Sequence, residues 1–195
     1  MALTPAIFLD KDGTLLADVP YNVEPARMAW APGVRKGVQA LGRTGLPLVV
    51  VSNQPGVAMG LFDEAALAQV RHTLAGMFEQ AGARLAAMYW CPHAPGPAGA
   101  PACACRKPAP GMLLRAAAEL RLDLPRSWMV GDILDDVEAG HRAGCRAILV
   151  DTGGETQWRD GPLRRPEHHC RSFGQAAATL VQALQSRPQA MEAGA

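Results

Sequence analysis

Short apolar runs alternate along the chain with longer stretches whose apolar positions recur every three or four residues. The runs at 6–9, 46–52, 85–90, 128–130 and 147–150 are too short for helices and are bounded by polar or turn-forming residues, so they predict buried strands. The amphipathic stretches predict helices over 34–41, 64–80, 112–120, 135–143 and 173–184. The last has the clearest face, with Phe173, Ala177, Leu180, Val181 and Leu184 at helical spacing, and this reads as core packing. Punctuation agrees: Asp63 suits an N-cap, Pro110 can open a helix, and Gly82 and Gly144 fall where helices should end. Alternation of this kind builds an α/β, doubly wound, mostly parallel sheet covered by helices on both faces.

One segment does not fit the alternation. Residues 91–110 are rich in Pro, Gly, Ala and Cys without periodicity, and so long a loop inside a domain is expected to be functional or fastened. The length of 195 residues suits one core, expected over 1–187, with 188–195 as a C-terminal tail. Apolar residues at 49% and charged residues at 19%, with no repeat, exclude collagen-like, coiled-coil and disordered classes. A net charge of +1 and 5% aromatics provide neither an electrostatic footprint nor stacking platforms for nucleic acid. The apolar runs, 46–51 among them, are too short to span a bilayer, so no membrane partner is expected. A small phosphorylated ligand remains compatible, because it needs a few placed cations and no net charge. A monomer is expected.

The five cysteines change the picture of the long loop, since three of them fall within it. Cys91-Pro92-His93 and Cys103-Ala104-Cys105 offer four soft ligands as C-x-H and C-x-C, the set of a closed, structural zinc site. The alternative is three buried thiols and a surface histidine. No secretory signal precedes the first strand, so the chain reads as cytoplasmic, where thiols stay reduced and such clusters hold metal. Zinc here would fix the residues that follow directly, Arg106 and Lys107. Cys145 and Cys170 have no ligand-spaced partner and read as core or strand residues.

The first strand runs into Asp10-Lys11-Asp12-Gly13-Thr14, two carboxylates one residue apart where a buried strand leaves the sheet. In doubly wound folds ligands bind at that edge. Ser52-Asn53-Gln54 follows the second strand, and Gly131-Asp132 follows the fourth, with Asp136 one helical turn further on. Taken alone, Asp10 to Thr14 could be a turn with capping chemistry. Its coincidence with a hydroxyl-amide pair, a further aspartate and Arg106-Lys107 favours a functional crevice.

This set resembles the haloacid dehalogenase superfamily of aspartate-nucleophile phosphatases, whose four motifs are found here in order. The resemblance implies that Asp10 is the nucleophile and Asp12 the acid/base. It also implies that Ser52 and Lys107 hold the transferring phosphoryl group. Asp10, Asp12 through its carbonyl, and Asp132 would ligate Mg2+, with Asp136 orienting Lys107 or a metal-bound water. A capless member with this zinc loop and the run Cys105-Arg106-Lys107-Pro108 is similar to the heptose-1,7-bisphosphate 7-phosphatase family, from residue 6 to about 184. That likeness implies a small phosphorylated sugar as substrate, touched by Asp18, Tyr21, Ser52, Asn53, Gln54, Arg106 and Lys107. The chain departs from the family at Ser52, where Thr is common, at Met59, where Arg is usual, and at Ile133, where Lys is common. The lost cations keep histidinol-phosphate phosphatase and other sugar-phosphate phosphatases open as alternatives.

Electrostatics gives the same residues a reason. A carboxylate ~4 Å from a phosphate dianion meets about 8 kcal/mol of repulsion at an effective dielectric of ~20. One Mg2+ and one lysine supply the charge that cancels it. A signalling receiver also uses a phosphorylated Asp, a Ser/Thr and a Lys, but lacks a second carboxylate such as Asp12, which is placed to deprotonate water. A zinc-stabilised scaffold with a dead site is the third reading, and no essential carboxylate is missing to support it.

Overall fold

The computed structural model describes residues 2–96 and 103–186; the expected tail at 188–195 and the middle of the long loop lie outside them. Six parallel strands, β1 (Ile7–Leu9), β2 (Leu48–Asn53), β3 (Leu85–Cys91), β4 (Trp128–Gly131), β5 (Arg146–Val150) and β6 (His168–Cys170), form one sheet in the order β3-β2-β1-β4-β5-β6. Five helices connect or cover them: α1 (Val34–Gly42), α2 (Glu64–Gln80), α3 (Gly111–Leu120), α4 (Leu134–Arg142) and α5 (Phe173–Gln185).

Side-chain alternation divides the core into two layers. Ile7, Leu9, Val50 and Val130 face one side, where they meet Val38 and Leu41 of α1, Phe78 of α2, and Phe173 and Leu180 of α5. Phe8, Val49, Val51 and Met129 face the other, against Met112, Leu113 and Ala116 of α3 and Ala139 of α4. All three residues of β1 are buried, as expected of a central parallel strand covered on both faces. The expected helix ends are realised. Asp63 accepts a hydrogen bond from the Ala66 N–H at 2.9 Å, and Gly82 and Gly144 take left-handed φ values of 74° and 86° beyond α2 and α4.

The strand missing from the sequence reading is β6. Its three residues, His168, His169 and Cys170, are too few and too polar to register as an apolar run, and it is made a strand by pairing with Ile148, Leu149 and Val150. Strand order runs outward from β1 in both directions, so the connection direction reverses between β1 and β4. That is the switch point at which open α/β sheets form a crevice beyond their carboxyl ends.

Candidate active site

Asp10 and Asp132 leave the sheet side by side at this switch point. The Asp10 N–H still donates to the Val130 carbonyl at 2.9 Å, so its side chain is aimed by the last ladder bond between β1 and β4. Asp132 follows Gly131 of β4, and its Oδ1 accepts from the Thr14 hydroxyl at 2.9 Å. Asp136 lies in the first turn of α4 and is fully buried. A Cβ at Gly131 would fall 2.3 Å from the Asp136 carboxylate, so only glycine lets this helix approach the strand so closely. The ligand oxygens of Asp10, Asp132 and Asp136 all lie within 4.8 Å of one another.

Lys107 reaches this group from the long loop. Its Nζ is paired with Asp10, lies 2.5 Å from Asp136 Oδ1, and donates to the Val51 carbonyl at 3.2 Å. Burial works against its charge, but Asp10 and Asp136 more than offset that and raise its pKa above the ordinary lysine value. On Asp10, burial is opposed by Lys107 and reinforced by Asp136, Asp132 and Asp12, so its carboxyl titrates well above the usual carboxylate range. Burial and then Asp136 push Asp132 up to about 7, against the Thr14 hydroxyl and Lys107. Three buried carboxyls with one lysine therefore form an oxygen donor set short of positive charge, which fits a hard divalent cation.

Asp12 is turned toward the rim, with about a third of its side chain exposed. Its Oδ1 lies 3.0 Å from Lys11 Nζ, and its Oδ2 accepts from Gln54 Nε2 at 2.9 Å. The same Gln54 amide donates to Ser52 Oγ at 2.8 Å, which ties Asp12 to Ser52 through one side chain. Asn53, assigned to substrate by the sequence reading, has both ends of its amide on the Lys107 backbone: Oδ1 accepts from Lys107 N at 3.0 Å, and Nδ2 donates to Lys107 O at 3.2 Å. Asp18 and Tyr21 sit exposed between β1 and α1, and no hydrogen bond or ion pair joins them to the acidic cluster among the described residues. Tyr21 is one of two non-glycine residues there at positive φ, 54°.

The sequence reading gave no role to Thr14 or Lys11. Thr14 was visible as the last residue of the Asp10 to Thr14 run, but its bond spans 118 positions and is a product of the fold. Lys11 is 1% exposed, a burial that a charged residue after a strand does not announce.

The cysteine cluster assembles beside this site. Sγ of Cys91, Cys103 and Cys105 and Nδ1 of His93 approach one another at 3.1 to 3.5 Å, and all three thiols are free of disulfides. Ligands ~2.0 to 2.3 Å from a tetrahedral centre stand about 3.3 to 3.8 Å apart, close to these separations, so the set fits one such ion. Despite the opposing effect of burial, the Arg106 N–H at 3.3 Å and the neighbouring thiols bring Cys103 down to about 7. Arg106 Nη1 donates to the His93 carbonyl at 3.3 Å, fastening the residue before Lys107 to the cluster. A groove of about 850 Å³ runs along β3 between α2 and α3, lined by Arg71, His72 and Arg115 and reaching His93 and Cys105; it includes no member of the acidic cluster.

The family model described as HAD-hydrolase-like matches residues 104–176. A D-glycero-beta-D-manno-heptose-1,7-bisphosphate 7-phosphatase of Mesorhizobium japonicum is 37% identical over 180 residues, covering 90% of this chain and 82% of the relative. The chain belongs to the D-glycero-beta-D-manno-heptose-1,7-bisphosphate 7-phosphatase family. The Escherichia coli K12 member is 35% identical over 191 residues, covering 96% of this chain and 94% of its own. Among solved structures, the D,D-heptose 1,7-bisphosphate phosphatase of B. bronchiseptica, complexed with magnesium and phosphate, superposes with a TM-score of 0.78 at 33% identity. That match covers 92% of this chain and 99% of the other. Family membership makes this chain a HAD-type phosphatase, and its Cys/His cluster has a donor set able to hold a metal. No helix among the described residues is long and apolar enough to cross a membrane.

Proposed function

We propose that this phosphatase removes the 7-phosphate of D-glycero-D-manno-heptose 1,7-bisphosphate through a phospho-Asp10 intermediate. The observation that carries the reading is Lys107, buried between Asp10 and Asp136 and next to Asp132 at the switch point of the sheet. Asp10 attacks phosphorus while Asp12, hinged at the rim by Lys11 and Gln54, delivers a proton to the leaving sugar oxygen. Asp12 then takes a proton from the water that hydrolyses the acyl phosphate, which returns both carboxyls to their starting states. The Ser52 hydroxyl and the Lys107 ammonium bind the phosphoryl oxygens throughout.

Asp10, Asp132 and the Asp12 carbonyl would hold Mg2+. Bound there, the ion supplies positive charge against the phosphoryl oxygens and the clustered carboxylates. Asp136 keeps Lys107 aimed at Asp10. Cys91, His93, Cys103 and Cys105 would hold Zn2+ as a closed structural site that sets the path of Arg106 and Lys107. Arg106, Asp18 and Tyr21 would meet the rest of the sugar bisphosphate. Every group named belongs to one chain, so a monomer suffices, and reduced thiols fit a cytoplasmic setting.

The test is phosphate release from both anomers of the heptose bisphosphate, from fructose 1,6-bisphosphate and from histidinol phosphate, with and without Mg2+. Magnesium-dependent release highest with one heptose anomer is expected. Faster release from histidinol phosphate would transfer the assignment to that substrate. No release from any of them would overturn the phosphatase mechanism.

A further inference from the structure

Helix α4 carries Asp136 and is preceded directly by Asp132, yet its own N-cap position is Ile133, a side chain with no hydrogen-bond acceptor. Such a residue leaves the first N–H groups of a helix without the partner that Ser, Thr, Asp or Asn provides. At this helix start Asp136 Oδ2 accepts from the Ile133 N–H at 3.3 Å, and the first helical N–H, that of Leu134, is taken by the segment after β5, where Glu155 Oε2 accepts it at 2.8 Å. Within 152–160 Glu155 alone is half-buried, its neighbours being exposed. Its other oxygen, Oε1, accepts from the Gln157 N–H at 2.6 Å, closing a turn that fixes the carboxylate.

The residue before it presses on Asp132 itself. A Cβ on Gly154 would fall 2.2 Å from Asp132 Oδ2, and one on Gly13 would fall 2.3 Å from the same oxygen. The Asp132 carboxylate is thus held between two glycine backbones, with Thr14 on its second oxygen. Thr152 adds a weak tie at 3.4 Å to the Gly13 carbonyl.

We propose that Glu155 is a positioning residue for the magnesium site. By capping α4 from the β5 strap it holds the Asp132-to-Asp136 turn, and with it Gly154, in register against Asp10. The proposal rests on the reading of Asp132 as a magnesium ligand, and the two can fail separately. A carboxylate near other carboxylates carries a repulsive cost, so the geometry of the cap, more than its charge, is what the site gains. The amide of Glu155→Gln keeps a single acceptor oxygen, enough for the Leu134 N–H but not for the Gln157 N–H as well.

Divalent-ion affinity is measured directly on the zinc-loaded protein, with Mn2+ as the probe and free Mn2+ read by electron paramagnetic resonance. Thermal unfolding is recorded alongside. Glu155→Ala is expected to weaken Mn2+ binding about tenfold, the lower end of losses seen when groups supporting metal ligands are removed. Glu155→Gln, which can keep only one of the two bonds, should bind Mn2+ more tightly than Glu155→Ala and less tightly than the parent. Ser172→Ala removes an equivalent cap from α5, where Ser172 accepts from the Gln175 N–H at 3.2 Å. It should lower stability by a similar amount without changing Mn2+ affinity. Gly154→Ala, which crowds Asp132 directly, should also weaken binding and serves if Glu155→Ala does not fold. Unchanged affinity in Glu155→Ala, equal weakening in Ser172→Ala, or unchanged affinity in Gly154→Ala would overturn the proposal. Asp132→Asn reports on the underlying reading: if it binds Mn2+ as the parent does, Asp132 is not the ligand, whatever Glu155 does.

Discussion

The acidic cluster and the cysteine cluster lie next to each other and are built in opposite ways. Asp10, Asp132, Asp136 and Lys107 come from distant parts of the chain and are buried, aimed by strand ends, a helix start and the sheet's own hydrogen bonds. Cys91 closes β3 and is buried, whereas His93, Cys103 and Cys105 lie in the loop that follows it, His93 exposed and the two thiols half-buried. The first site is organised by the fold before any ion arrives. The second joins a strand end to the loop that follows it, and an ion held there would fasten the two together. Lys107 connects them, anchored in one site and delivered by the other.

Removing the nucleophile isolates the first half of this contrast. Asp10→Asn should lower turnover by at least ~10³-fold, with the far-ultraviolet circular dichroism and cooperative unfolding retained. Residual activity near the parent value would sink the assignment of Asp10. Removing zinc tests the second half. Metal-stripped protein, verified by elemental analysis, should lose roughly 10- to 100-fold in kcat/KM in saturating Mg2+, because Lys107 loses its support. Full activity without zinc would separate the two sites. The direct link can be cut more gently: Asn53→Ala removes both bonds to the Lys107 backbone and should cost about tenfold in kcat/KM, or ~1.4 kcal/mol. Loss of stability alone, with kcat/KM unchanged, would reduce Asn53 to a loop staple.

The smallest effect is on pH dependence. In the metal-free protein Asp132 titrates at about 7, above its ordinary 3.8, so folding favours its protonated form. The stability this contributes is present at low pH and is lost as pH rises through about 7. Metal-free protein should therefore melt lower at about pH 8 than at about pH 6, and saturating Mg2+ should reverse that order. Magnesium competes with the Asp132 proton, so its apparent affinity should rise with pH and level off above about 7. A flat profile in calorimetric titration would remove Asp132 from the ion-binding set.

How far each site could be read in the sequence follows from the same contrast. The cysteine ligands are close in sequence, so their spacing alone announced a cluster. The acidic residues were legible because each follows an apolar strand run, and the doubly wound pattern brings strand ends together. Residues that act through the assembled backbone were not legible. Asn53 looks like a ligand for substrate until the loop returns to it 54 positions later, and Glu155 caps a helix 21 positions earlier in the chain. Strand β6 escaped notice for the reason that it exists: three polar-leaning residues become a strand only because β5 offers an edge.

The placement of β1 between β2 and β4 has a consequence for biosynthesis. While the ribosome is still making α3, β1 can pair only with β2, and its other edge has no partner. The bond from the Ala6 N–H to Ser127 Oγ, 121 positions away, closes only when β4 emerges and docks. Asp10 and Asp132 are thus kept apart through most of translation. The catalytic centre therefore cannot assemble before the fourth strand has docked on the first.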